Sequence, residues 1–562
     1  MSVIGPPSIA ITAQARGEIH EFLLPLILLW TVLTMFLVDQ SYSLFHLEVL
    51  AGFCALAIAG AVVGLSGLLR NKIWYGLAMG GLFTWSLDYQ FNWVSELNRY
   101  LLLVLFIVVV LVVWKLTKNG HAILRAVLAT ALIASVVMSL IKMIHKPLIQ
   151  FNGERNSHAS SPRLIHLIFD EHIGIDGLPS EFAPGRKARA ELAEFYREHG
   201  FALYSGAYSR YYETADSIPN LLNFTTASKA EALVSGTADR SSFQISSNRY
   251  FPLLADRLYH VSVLDTTYLK LCPDLPPPDI TCGRYGFHEL GTLGDLRLPV
   301  SEKITALFSA FVTRYARYRR AVLAYNGRIR PMLVAHGIPL PRLPVDSVWT
   351  LHRVRGISVN AMAMLDELTN TIGHMPSGQA LVAHVMLPHF PYAYYGDCSL
   401  RPIHDWKWGD MGDLDEVRTP EWRAERYEAY LEQLQCLYRK LGDLFAHLKE
   451  AGLFEDSIII AHGDHGSRFS IHHPSLNNLD AMTHADYLDS FSTLFAVKHS
   501  RFPPGRDSTP RALDELLLAA LGIGDAPGAA PSLTVTPPSV FFSAKETPEL
   551  FRMPYPVRPI TP

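Results

Sequence analysis

The chain has 562 residues, more than a single ordinary domain needs, and its 49% hydrophobic content is concentrated in the first 145 residues. The net charge of −3, without a basic tail or an RNA- or DNA-binding motif, excludes nucleic acid as an expected partner. Of five cysteines, four (Cys272, Cys282, Cys398 and Cys436) lie in the polar part. That even count suits disulfides in an oxidising compartment, with Cys272 and Cys282, which bracket a Pro-rich loop, as the expected pair and unpaired buried thiols as the alternative; the pairing of Cys398 with Cys436 is left open.

Five apolar runs come first, at residues 21–38, 48–69, 73–87, 100–114 and 122–144. Five in succession with almost no charge predict a bundle of five transmembrane helices over residues 1–144, since a span needs about 20 mostly apolar residues. Arg16, Arg70, Lys72, Lys115, Lys118 and Arg125 fall on one side of it, and the opposite loops between spans hold only Arg99. The basic side is therefore expected in the cytoplasm, which places everything after the fifth run outside it. A polar linker, 145–163, follows.

From residue 164 the period changes. Residues 164–169 read as a short buried strand ending in Asp170 and Glu171, 188–199 as an amphipathic helix, 201–208 as a strand, and 381–386 as a strand that contains His384 and ends near His389. A long helix is expected over 425–451, leading into the β-branched run Ile458-Ile-Ile460. That run breaks at Gly463 and delivers Asp464, His465 and Gly466. An ordinary strand-to-loop turn would also use Gly and Asp. A further strand is expected at 487–498 and a helix at 510–521. Alternating strands and helices predict a mostly parallel sheet covered on both faces. Three of its strands end in side chains of metal-ligand type at one sheet edge.

Between these segments, Ser217 followed by Ile218-Pro219 reads as a helix N-cap, with Thr214 just ahead of it. A hydroxyl there is placed either for plain capping or to meet a phosphate beside free backbone N–H groups. Residues 303–336 form an Arg-rich helical stretch, expected either on an anionic membrane surface or as a solvated face. Residues 524–562 are Pro-rich and read as an extended or disordered tail.

These segments together resemble the alkaline phosphatase/sulfatase superfamily, and more narrowly its membrane-anchored branch of phosphoethanolamine transferases and lipoteichoic acid synthases. The resemblance rests on Asp464-His465-Gly466 after a strand, on the lead-in to Thr214-Ala-Asp-Ser-Ile-Pro219, on His384, and on Pro388-His389-Phe390-Pro391-Tyr392. It covers residues 164–523 and implies an α/β alkaline-phosphatase-like domain. It also implies one or two divalent ions, zinc or manganese, held by Asp170, Thr214, Asp464 and His465, with Glu171 beside Asp170 as a second candidate acid.

Thr214 would be the nucleophile, with Ser217 its rival, and His384, His389, His472 and His473 would meet substrate. The sulfatase signature with an Arg two residues after the Pro is incomplete at Ser217-Ile-Pro-Asn-Leu221, so sulfate-ester hydrolysis is not expected. The cysteines that flank the nucleophile in the phosphoethanolamine transferases are absent. The expected reaction moves a phospho-alcohol group from a phospholipid donor to an envelope glycan or lipid acceptor, on the periplasmic or extracellular side of the cytoplasmic membrane. Water as acceptor and a catalytically silent membrane scaffold are the alternatives.

Overall fold

The computed structural model describes residues 13–68, 72–91, 107–108, 118–143, 148, 151, 161–226, 233–236, 242–273, 275–287, 289–313, 330–335, 356–406, 418–523, 538–544 and 547–556. The chain divides into two compact units: Met1–His145 with Glu289–Val354, and Lys146–His288 with Arg355–Pro562. The span expected as one domain over 164–523 is thus divided, with Glu289–Val354 grouped with the N-terminal helices.

In the first unit, helices α1 (Ala13–Asp39), α2 (Leu47–Leu68), α3 (Lys72–Phe91) and α4 (Lys118–Met143) carry four of the apolar runs. The fourth run, 100–114, lies outside the described residues apart from Ile107 and Val108. One described helix stretch, Leu47–Leu65, is long and apolar enough to cross a membrane, and the apolar stretches Leu23–Asp39 and Ala126–Met138 are shorter. Five spans are therefore met only in part. Thr31, Thr34, Thr84, Ser86, Thr130 and Ser135 each donate a hydroxyl hydrogen bond to the carbonyl four residues back. This satisfies their polarity inside their own helices.

The second unit is built on an eight-stranded sheet. In chain order its strands are β1 (Arg163–Phe169), β2 (Ala202–Tyr204), β3 (His260–Thr266), β4 (Ile280–Tyr285), β5 (Gln379–Val385), β6 (Ser457–Gly463), β7 (Phe495–Lys498) and β8 (Gly505–Asp507). Their spatial order is β8-β2-β7-β6-β1-β5-β3-β4. Strands β6, β1, β5, β3 and β4 run parallel, and β7 is antiparallel to both of its neighbours. Strands β1, β5 and β6 are almost wholly buried, which is why they read as continuous apolar runs. Phe169 pairs with Gly463 on one side and Val385 on the other. The register therefore brings Asp170, Asp464 and the segment after β5 to one edge, the carboxyl end of the parallel strands.

Helix α5 (Ala183–Glu198) follows β1, and α6 (Thr214–Asn223), with Glu213 as its N-cap, starts four residues earlier than the Ser-x-Pro pattern predicts. Pro219 removes one helical hydrogen bond, but Thr214 and Ser217 are fixed by side-chain contacts described below, and the turn holds. Helix α7 (Val300–Thr313) belongs to the first unit. The long helix α8 (Pro420–Glu450) opens on Thr419, whose hydroxyl accepts from the Trp422 N–H, with Pro420 in its first turn.

The strand expected at 487–498 is half helix. Thr483 and Asp486 close a capping box that starts α9 (His484–Phe491), and only Phe495–Lys498 is extended. The C-terminal tail is partly folded: β9 (Ser539–Ala544) and β10 (Thr547–Pro554) pair antiparallel. Val540 and Phe542 are buried with Tyr208, Tyr212 and Phe491.

Candidate active site

Each backbone break at the sheet edge has a local cause. A Cβ on Gly463 would lie 2.3 Å from the His172 carbonyl and 2.4 Å from Thr493 Oγ1, and one on Gly466 would lie 2.3 Å from the Asp489 carbonyl. Only glycine lets the chain pass these two points, so Asp464 and His465 are delivered between them. In the turn after the neighbouring strand β1, Glu171 takes a left-handed conformation, φ 61°. Its N–H donates to Asp464 Oδ1 at 3.1 Å, and its carbonyl accepts from the Tyr430 hydroxyl at 2.9 Å. Strain of this kind is held only where surrounding bonds over-determine it.

Thr214 stands at the first turn of α6. Its Oγ1 lies 3.2 Å from Asp170 Oδ2 and 3.1 Å from His465 Nε2. His465 Nδ1 is 2.9 Å from the Gly466 carbonyl. Donation there leaves the Nε2 lone pair facing Thr214 and the two aspartates. Asp464 Oδ1 also accepts from the His465 N–H at 2.8 Å, whereas Asp464 Oδ2 and Asp170 Oδ1 are buried without a hydrogen bond. Asp170, Asp464 and His465 are buried, and their ligand atoms lie within 4.8 Å of one another. Two carboxylates, one imidazole with its lone pair turned inward and one hydroxyl fit a divalent cation.

Asp170, Glu171 and His389 form a second buried group of the same reach. His389 Nε2 is 3.8 Å from Glu171 Oε1, and His384 Nε2 is 3.4 Å from Asp170 Oδ2. Burial works against the charged form of Asp170, but the imidazoles of His389, His384 and His465 hold its carboxyl well below the usual range. Burial pushes Glu171 up, countered in part by Arg468, and pushes Asp464 up with the help of the Asp170 charge. Burial also lowers His389 to about 4.

The remaining expected residues fall in different places. Ser217 is buried, and its Oγ donates to the Asp464 carbonyl at 2.7 Å, so it braces the ligand loop. His472 is turned to Asp486 at 3.1 Å. The His473 ring packs edge-on to Tyr212 at 4.8 Å, and Tyr212 lies 6.4 Å from the His465 ring. His473 is thus set back from the centre, behind Tyr212.

Sequence reasoning missed Arg468 and Glu213. The Arg468 guanidinium sits 3.6 Å from Glu171 and 3.6 Å from Glu213, over the Tyr212 ring. Its position just beyond Asp464-His465-Gly466 was the available signal. Helix α8 supports the site from behind. Tyr430 holds Glu171 and Ile173, and Gln433 donates to the Pro388 and His389 carbonyls and accepts from the Ala393 N–H.

No protein-family model matches the chain, and no curated protein sequence matches it. Solved structures do. The phosphonate monoester hydrolase of Agrobacterium radiobacter is 12% identical, with 68% of this chain and 80% of that chain covered and a TM-score of 0.40. The yidJ protein of Bacteroides fragilis, described as a sulfatase candidate, is 12% identical, with 69% and 83% covered and a TM-score of 0.40. The C-terminal periplasmic domain of EptC from Escherichia coli, in complex with zinc, is 11% identical, with 73% and 96% covered and a TM-score of 0.37.

Proposed function

We propose that the chain is a membrane-anchored, metal-dependent phosphotransferase of the alkaline phosphatase/sulfatase superfamily. It moves a phospho-alcohol group from a phospholipid to a cell-envelope glycan or lipid through a phosphothreonine intermediate. The observation that carries this reading is the Thr214 hydroxyl, buried within hydrogen-bond distance of both Asp170 and His465 beside two carboxylate oxygens without partners. Asp170, Thr214, Asp464 and His465 would hold the cation, zinc or manganese by donor type, and it would supply the charge that lowers the pKa of the threonine hydroxyl.

In the first half-reaction Thr214 Oγ1 forms a bond to phosphorus as the bond from phosphorus to the diacylglycerol oxygen breaks. Thr214 gives up its proton, and the departing alkoxide takes one up. His384 and His389, the imidazoles at this edge, can take the proton from Thr214 and pass it to the departing oxygen. In the second half-reaction an acceptor hydroxyl loses its proton and takes the phosphoryl group, and Thr214 regains its own.

The membrane side of the reading is supported by surface chemistry. Among described residues, all but three of the exposed large hydrophobic side chains belong to the first unit. The two disulfides, Cys272–Cys282 and Cys398–Cys436, suit a catalytic unit outside the cytoplasm. The test is mass spectrometry of the Thr214 peptide after incubation with phospholipid vesicles and metal. The expected result is an adduct whose mass identifies the transferred group. An unmodified Thr214 with a modified Ser217, or no adduct while the donor is consumed, overturns the intermediate.

A further inference from the structure

The chain of the second unit leaves it at Glu289 and returns at Val354, and the described part of this excursion packs on one end of the helical bundle in the first unit. Gly291 passes so close to the Ser41 carbonyl that a Cβ would lie 2.4 Å from it, and Gly294 meets the His46 ring in the same way. His46 also pairs with Asp295 at 3.6 Å. Phe311 of α7 packs edge-on to Phe36 at 5.2 Å and to Trp85 at 6.1 Å. Phe36 is near the end of α1 and Trp85 is near the end of α3. Leu47, where α2 begins, also starts the stretch long enough to cross a membrane. Helix α7 therefore lies where α1 stops and α2 starts, at the level of the span's first residues.

The packed side of α7 is conventional, with Ala306, Leu307 and Ser309 buried. Its other side is not. Val300, Ile304 and Phe308 recur every four residues and are 42%, 37% and 61% exposed. That spacing puts them on one face. Phe45, Leu47 and Leu50, at the adjoining end of the bundle, are also exposed. The chain directly after α7 carries Arg314, Arg317, Arg319 and Arg320. An apolar stripe continuous in level with a candidate span, and followed at once by arginines, matches the chemistry of a bilayer surface: acyl chains below and phosphates above.

We propose that α7 is an interfacial anchor. Its Val300-Ile304-Phe308 face is buried in the bilayer leaflet on the side where α1 joins α2. The proposal rests on the membrane reading above and adds a second attachment of the catalytic chain, beyond its linker. It commits to lipid as the occupant of this face, rather than a second copy of the chain or another protein.

The test uses the full chain in phosphatidylglycerol-containing nanodiscs. A Cys54→Ala background leaves only disulfide-bonded cysteines. A bimane fluorophore is attached at Phe308→Cys, at Ile58→Cys in the exposed face of α2, or at Glu191→Cys in the second unit, and quenched by lipids carrying nitroxide at defined depths. The expected result is at least twofold quenching of the Phe308 probe, strongest with nitroxide near the headgroups, with deeper quenching at Ile58 and none at Glu191. Quenching at Ile58 without quenching at Phe308 overturns the anchor while the membrane reading stands. No quenching at Ile58 overturns both. In a second readout, Val300→Asp with Ile304→Asp and Phe308→Asp should lower turnover of vesicle phospholipid at least tenfold and leave turnover of soluble bis-p-nitrophenyl phosphate within twofold. Equal loss on both substrates would contradict the anchor.

Discussion

At the scale of single residues, two hydroxyls that look alike in sequence have different surroundings. Thr214 faces Asp170 and His465, whereas Ser217 donates to the Asp464 backbone carbonyl. Thr214→Ala should reduce turnover by more than about 10³-fold with a nearly unchanged melting temperature, as loss of a nucleophile does. Ser217→Ala should keep turnover within about tenfold but cost about 1–3 kcal/mol, because a buried carbonyl loses its donor. Steady-state kinetics paired with thermal unfolding checks both, and the opposite pattern would exchange the two roles.

A second residue-scale prediction concerns pH. His462 Nδ1 is 2.7 Å from the Gly463 carbonyl, His166 Nε2 is 2.8 Å from His462 Nε2, and His166 Nδ1 is 3.0 Å from the Tyr250 hydroxyl. One set of tautomers satisfies all three contacts with both rings neutral. A proton added at His462 Nε2 would set two N–H groups against each other, and one added at His166 Nδ1 would force the Tyr250 hydroxyl to turn from donor to acceptor. Burial, then the facing His462, lowers the His166 pKa well below 6.5. The folded state thus binds fewer protons than the unfolded one. The stability this contributes is present above about pH 6.5 and falls by up to about 1.4 kcal/mol per pH unit below it. Urea midpoints from pH 7.5 to 5 should drop, and the drop should be shallower in His166→Gln. An equal slope in both proteins would remove His166 from the account.

At the scale of elements, what was legible followed from periodicity. Strands β1, β5 and β6 announced themselves as buried β-branched or apolar runs, and α8 by its leucines, because both faces of the strands and one face of the helix are buried. The gathering of Asp170, Thr214, Asp464 and His465 followed from strand ends and from a resemblance. Strands β3, β4 and β8 were missed. Strand β4 is only six residues long and partly half-buried, with Arg284 exposed, and β8 is a three-residue edge strand with Arg506 and Asp507 in it. Arg468 escaped because its role depends on Glu171 and Glu213, which are adjacent to it only after folding. His472 carried ligand chemistry in sequence but is turned to Asp486, the residue that also caps α9. The turn after β6 gives this scale its prediction. Gly463→Ala must push apart β6, His172 and Thr493, at a cost of about 1–3 kcal/mol from overpacking. It should also displace Asp464 and lower metal content. Denaturation midpoints and metal analysis of the purified variant test this, and a variant with native metal content would show the loop can move aside.

At the scale of the molecule, two covalent closures stabilise the second unit away from the candidate metal site. Cys272–Cys282 closes a loop of sequence separation 10 behind β3 and β4, and Cys398–Cys436 spans 38 residues to tie the segment after His389 to α8. The second matters more for the site, because α8 also carries Tyr430 and Gln433, which hold Glu171 and the His389 loop. Chain-entropy reasoning assigns about 3 kcal/mol to the shorter closure and about 4 kcal/mol to the longer. Cys398→Ser with Cys436→Ser should therefore lower stability by about 4 kcal/mol and reduce activity by loosening His389. The corresponding pair at Cys272 and Cys282 should lower stability by about 3 kcal/mol with little effect on the kinetics of the folded fraction. Maleimide labelling of the unreduced, denatured protein should modify Cys54 alone. Labelling of all five cysteines in protein isolated from its native membrane would mean that the second unit matures in a reducing compartment, and would reverse the membrane sidedness argued above.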